Sequence, residues 1–155
     1  MKKSLGFWLI AAFVLLFGAC SNDDDESAAD KIAGVYTGVF TVTLEDGSAL
    51  GDPMPNQKID FIKVDDHTVN LELNDFKFGS IPVGDLKVND VRVTDDGKIS
   101  GSATQVPIMN GVIKADLDVT GTVVNNQANL LIVVNAPLAA GETAIKMNVT
   151  FTGSK

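Results

Sequence analysis

Four kinds of side chain in this 155-residue chain are of types that can do chemistry: the single histidine, a pair of aspartates, the serines and the single cysteine. His67 follows Asp65-Asp66 in a polar stretch. An imidazole works as a general base beside a nucleophile, or as a metal ligand beside further His, Cys or carboxylate donors. No second histidine exists to complete such a set, and His67 reads as a surface turn residue. Asp116 and Asp118 are two residues apart, so on a strand they share one face. Paired carboxylates suit glycoside hydrolysis only if burial or a neighbour raises the pKa of one of them, and a solvated strand face does neither. Ser48, Ser80, Ser100 and Ser102 have no base placed to activate them, and no Gly-x-Ser-x-Gly elbow occurs. No glycine-rich phosphate loop follows a strand. Asn148-Val149-Thr150 spells a glycosylation triplet inside a strand pattern, which is a chance match. The expectation is a non-catalytic protein without cofactor or metal.

Cys20 has a different context. Lys2 and Lys3, an apolar run from Leu5 to Phe17, and the small residues Gly18 and Ala19 precede it. Met1–Ala19 reads as a secretion signal, too short in its apolar run for a comfortable membrane span. The sequence LLFGAC resembles the lipobox of bacterial lipoproteins, with Phe17 as a departure where Leu or Val is commoner. The resemblance implies cleavage before Cys20 and acylation of its thiol. The alternative is an ordinary signal followed by an incidental free cysteine. Acyl chains contribute about 0.8 kcal/mol per buried CH₂, enough for two or three of them to hold a protein on a membrane. With one cysteine, no intramolecular disulfide can form.

SNDDDESAAD, Ser21 to Asp30, lacks apolar periodicity and reads as a tether. Ten residues reach roughly 35 Å when extended. Asp23, Asp24, Asp25 and Glu26 resemble the acidic export signals of some Gram-negative surface lipoproteins; a solvated linker is the alternative. A calcium site lacks the glycine-turn spacing it needs. The net charge is −8 overall and more negative once Lys2 and Lys3 are set aside. That excess opposes binding to nucleic acid and to anionic lipid, whose phosphates must be neutralised by Lys and Arg.

The rest of the chain alternates. VYTGVFTVTL from Val35 sets Tyr36, Gly38, Phe40, Val42 and Leu44 against Thr37, Thr41 and Thr43. Such period-two runs of β-branched residues predict half-buried strands. The same reading gives strands over Lys58–Val64, Thr68–Asn74, Asp85–Thr94, Lys98–Gln105, Val112–Val124, Gln127–Asn135 and Ala144–Thr152. In Asp85–Thr94 the apolar residues change parity between Val88 and Val91, which predicts a β-bulge at Asn89-Asp90. Eight sequential strands and no convincing amphipathic helix predict an all-β, antiparallel up-and-down barrel, since closure removes exposed edges. IAGVYTGVFTV, NQKIDFIKVDDHTVNLELNDF, IPVGDLKVNDVRVTDDGKISGSA and KMNVTFTGSK resemble the calycin-like (lipocalin-like) β-barrel family of secreted bacterial lipoproteins. The resemblance implies an eight-stranded barrel and supplies no catalytic residues. The expected organisation is a signal over Met1–Ala19, a cysteine and tether over Cys20–Lys31, and a barrel over Ile32–Lys155.

Tight polar turns fall at Asp65-Asp66, Asp95-Asp96 and Asn125-Asn126, thirty residues apart. In an up-and-down meander these share one end with both termini. The connections Glu45–Asn56, Asp75–Gly84, Val106–Gly111 and Ala136–Thr143 share the other. That end carries Met54, Phe76, Phe78, Ile81, Pro82, Val83, Val106, Ile108, Met109, Pro137 and Leu138, with Pro107 among them. These residues either rim a mouth for a small hydrophobic or amphipathic ligand, or fold inward as a plug. The two functional expectations follow. One is a binding module held by lipidated Cys20 in the cell envelope, at the outer membrane and on its surface if the acidic run is an export signal. The other is a structural or interaction protein with a filled barrel that meets another envelope protein. No nucleic-acid partner is expected.

Overall fold

The computed structural model describes residues 25–137 and 144–155; Cys20 with its signal, the acidic run through Asp24, and Leu138 lie outside them. Eight strands form a closed antiparallel barrel in sequence order: β1 (Gly34–Leu44), β2 (Met54–Asp65), β3 (Thr68–Phe78), β4 (Ile81–Val93), β5 (Lys98–Ile108), β6 (Ile113–Val124), β7 (Gln127–Ala136) and β8 (Ile145–Ser154). Closure is direct, with Thr37 of β1 opposite Ser154 of β8 and Leu44 opposite Met147. The predicted strand count, order and closure are those observed.

Alternation sets which residues form the core. On β7, Ala128, Leu130, Ile132, Val134 and Ala136 are buried while Gln127, Asn129 and Leu131 face out. Among the described residues no polar or charged residue is buried as a whole, while Lys58, Lys114 and Asp118 face outward. Aromatic rings fill the middle and lower barrel. Phe40 and Phe151 meet at 4.9 Å, and Tyr36 meets Phe61 edge-on at 5.4 Å. The Tyr36 hydroxyl has no protein hydrogen-bond partner, and burial pushes its pKa above the ordinary value.

The bulge expected in β4 is present. Val69 and Leu71 on β3 face Val91 and Val88, so three steps on β4 oppose two, and Asp90 takes a φ of 56°. Two further bulges place Asp75 and Gln105 at φ 52° and 56°. Each of these left-handed residues donates its backbone N–H to an oxygen across the ladder: Asp75 to Asp85 Oδ1 at 2.8 Å, Asp90 to Asn70 Oδ1 at 3.1 Å, Gln105 to Asp116 Oδ1 at 2.9 Å.

The strands run further than the alternation predicts. The apolar stretch around Gly79 is not a long loop: β3 and β4 extend into it and a turn at Gly79-Ser80 closes them. Likewise β5 extends to Ile108, with a turn over 109–112. No strand is added, so the turns Asp66-His67, Asp95-Asp96 and Asn125-Asn126 share one end, as the spacing requires.

The tether reading needs one correction. A single helical turn, α1 (Ala28–Ile32), begins at an N-cap on Ser27 and forms a capping box with Asp30. Ala28, Ala29 and Ile32 are buried, and Ala29 N donates to Asp66 O at 3.0 Å. Asp30 Oδ2 accepts from Lys63 Nζ at 2.7 Å. The packed body therefore starts at Ser27, and α1 stoppers the short-turn end of the barrel.

Candidate functional site

Inward residues change character along the barrel axis. Phe40 forms an aromatic floor, packed on Phe151 and edge-on to Phe76 at 5.3 Å. Above it most inward residues are aliphatic, with Phe76 and Phe78 among them, and they leave a cavity of about 180 Å³. Leu71, Leu73, Val88, Leu117, Ile132 and Val149 are among its walls. It reaches the surface at the long end, where Ile81 and Met109 both line it and are 46% and 37% exposed.

Six of the residues expected at a rim line this cavity: Phe76, Phe78, Ile81, Val83, Ile108 and Met109. Met54 is half-buried and, with Phe78, lines a separate surface cleft. Val106 is buried in the core, and Pro82 and Pro137 are exposed. Leu138 and Cys20 lie outside the described residues. The walls come from mid-strand positions such as Leu71, Leu117 and Ile132, which alternation marks only as inward-facing. Whether an inward row packs solid or leaves space depends on side chains from opposite walls, and one strand's pattern does not carry that.

The seam between β4 and β5 borders the cavity. Its register holds only Arg92 opposite Ser100 and Val93 opposite Ile99, whereas β7 and β8 are registered from Gln127–Ser154 to Ala136–Ile145. At the far end Met109 N donates to Val83 O at 2.9 Å. The two strands are thus tied below and above without a regular ladder between, while Gly101 still packs closely on Val91.

The site is apolar throughout its lining. It offers dispersion and desolvation, with no acid, base or nucleophile. His67 lies at the opposite end, with Nε2 3.5 Å from Asp95 Oδ1 and its backbone N–H on Asp65 Oδ1 at 2.8 Å. Asp116 is committed to the Gln105 bulge, and its neighbour Asp118 is exposed. Among the described residues no group of three or more His, Cys, Asp or Glu converges on a metal position.

A family model described as a calycin-like β-barrel domain matches residues 32–154. Among solved structures, a crystal structure of a "putative outer membrane protein" from Bacteroides fragilis is similar in fold, with a TM-score of 0.57 and 20% sequence identity. The similarity covers 84% of this chain and 53% of the other, so the chain spans about half the length of that protein. No functionally curated protein matches.

Proposed function

We propose that this chain, which belongs to the calycin-like β-barrel domain family, is a non-catalytic binding module for a small hydrophobic or amphipathic ligand, held in the cell envelope through an acylated Cys20. The observation that supports this is the apolar cavity of about 180 Å³ reaching the surface between Ile81 and Met109. An apolar cavity of order 150 Å³ stays dry and takes up a benzene-sized guest, because water finds no partners in it. The ligand class is therefore one small apolar group or a single hydrocarbon tail. A polar head has no partner within the lining and would stay at the mouth.

The size of the cavity also favours a second reading. Pockets for drug-sized ligands run from roughly 300 to 1,000 Å³. A barrel this well filled also suits an interaction protein whose hairpins meet another envelope protein.

Native mass spectrometry of protein purified without detergent, paired with titration of a hydrophobic fluorescent probe, separates the two. A co-purified small apolar molecule, or saturable probe binding that it displaces, is the expected result. Neither appearing would end the carrier reading. For the anchor, Cys20→Ala should move the protein from the membrane to the soluble fraction; unchanged fractionation would refute acylation at Cys20.

A further inference from the structure

The charges are unevenly placed around the long end. From Phe76 to Gly84 the only charged residue is Lys77, and from Val106 to Ala115 the only one is Lys114. These are the tips of the β3–β4 and β5–β6 hairpins, neighbours in the barrel, and they contain no carboxylate in a chain of net charge −8. Both lysines are exposed, and neither forms an ion pair among the described residues, while Lys63, Lys87, Lys98 and Lys146 do.

In front of the lysines the tips present apolar side chains to water. Ile81 is 46%, Met109 37% and Val112 82% exposed, with Pro82 and Pro107 also exposed beside them. They do not fold down to fill the cavity. Gly79, Met109, Asn110 and Gly111 all have positive φ, which fixes two tight turns. The Met109 N–H on Val83 O ties the hairpins together at 2.9 Å. The result is a small stiff platform, apolar at its front with Lys77 and Lys114 behind it, and with Asp75, Asp85 and Asp116 further back along the strands.

That order, apolar tips backed by snorkelling lysines, is what a bilayer interface accepts: hydrocarbon takes the tips and lipid phosphates take the ammonium groups. We propose that the β3–β4 and β5–β6 hairpin tips form a lipid-surface docking site, seating Ile81, Met109 and Val112 below the headgroups with Lys77 and Lys114 on the phosphates. Glu45, Asp46 and Asp52 sit on the β1–β2 connection, so the docked barrel leans on the β3–β6 side. The cavity mouth lies between Ile81 and Met109, so the docked mouth faces the acyl region. Cys20 joins the barrel at the opposite end through seven residues that reach about 25 Å, so the docked bilayer is not the one that holds an acylated Cys20. Uptake of a hydrocarbon tail from the docked layer rests on the binding-module reading; the docking itself does not.

The test uses the full chain with Cys20→Ser, which removes the only thiol. Single cysteines are then introduced at Ile81, Met109 or Val112, and at Asn126 on the opposite end, and labelled with a polarity-sensitive dye. Mixed with phosphatidylethanolamine–phosphatidylglycerol vesicles, dyes at 81, 109 and 112 should shift to the blue and the dye at 126 should not. The apolar N-terminal segment, if it binds vesicles by itself, would bring the 126 end to the surface and leave 109 in water; that pattern, or no shift at any tip, overturns the proposal. Lys77→Gln and Lys114→Gln should each weaken the shift about fivefold at low salt, and a salt-independent shift unaffected by both removes the phosphate contact. Ile81→Glu with Met109→Glu, exposed positions that leave the core intact, should abolish it. A blue shift without binding of a hydrophobic probe to the cavity would leave docking standing and remove the carrier function.

Discussion

At the scale of single residues, the polar side chains that first suggest chemistry serve the backbone. Asp116 accepts the N–H of Gln105, a residue at φ 56° in the middle of a bulge. A left-handed conformation costs a non-glycine residue roughly 1 to 2 kcal/mol, and glycine gives back part of that through its unfolded-state entropy. Gln105→Gly should therefore raise stability by roughly 0.5 to 1 kcal/mol. Asp116→Ala, which leaves that N–H to water, should lower it by about 1 kcal/mol. Urea midpoints measure both, and an unchanged midpoint in the Asp116 variant would mean that the contact does not hold the bulge. Asp30 behaves in the same structural way. The Lys63 ammonium and the Ser27 hydroxyl hold its carboxyl down at about 2, against an ordinary 3.8. A depressed carboxylate contributes stability above its unfolded pKa and loses it as pH falls through the folded one. The contribution is full above about pH 4 and gone near 2. Asp30→Asn should thus lower the urea midpoint at neutral pH and match the parent near pH 2. A gap that persists at the acid end would point to lost packing of α1 instead.

At the scale of elements, alternation reveals strands where one face meets water and the other meets core. It reveals β1, β6, β7 and even the parity change at Asn89-Asp90, because there the inward row is unbroken apolar while the outward row carries polar residues such as Thr37, Thr41, Lys114, Asp118 and Asn129. It fails at Phe76–Gly84, where Gly79, Pro82 and Gly84 read as loop residues and the bulge at Asp75 interrupts the parity, although Phe76, Phe78, Ile81 and Val83 line the cavity while Lys77 and Pro82 face out. The one-turn helix is missed for another reason. Five residues show no 3.6 period, and Ala28 and Ala29 are buried only because a barrel end lies under them. The Ser27-x-x-Asp30 capping box was its one local signal. The shortest registered ladder between neighbouring strands is the β4–β5 seam, which no single-strand pattern could show. Backbone groups between the Arg92–Ser100 pair and the Val83–Met109 tie lack the regular ladder that β7 and β8 have. Amides of β4 and β5 in that interval should accordingly exchange hydrogen faster as a group than those of β7 and β8. Uniform protection around the barrel would show the seam to be closed.

For the whole molecule, the barrel is apolar inside and polar outside. A membrane-spanning barrel has the reverse arrangement, with a lipid-facing apolar band. Lys58, Asp60, Lys114 and Asp118 on the outer face place this wall in water, so any contact with lipid falls to its end and its N-terminal tether. The unfilled space then sets two demands against each other. A void in a close-packed interior forfeits dispersion contacts, and filling it should stabilise the fold. Val134→Leu and Val149→Leu each add one methylene into the cavity, worth about 0.8 kcal/mol where space exists. Where none exists, overpacking costs about 1 to 3 kcal/mol instead. If the space is kept for a ligand, both variants should unfold at higher urea and bind a hydrophobic probe more weakly, stability rising as function falls. Lower midpoints would show a barrel already full and favour the interaction reading. Higher midpoints with unchanged probe affinity would mean that the probe sits elsewhere, on the exposed Ile81–Met109 tips rather than between the walls.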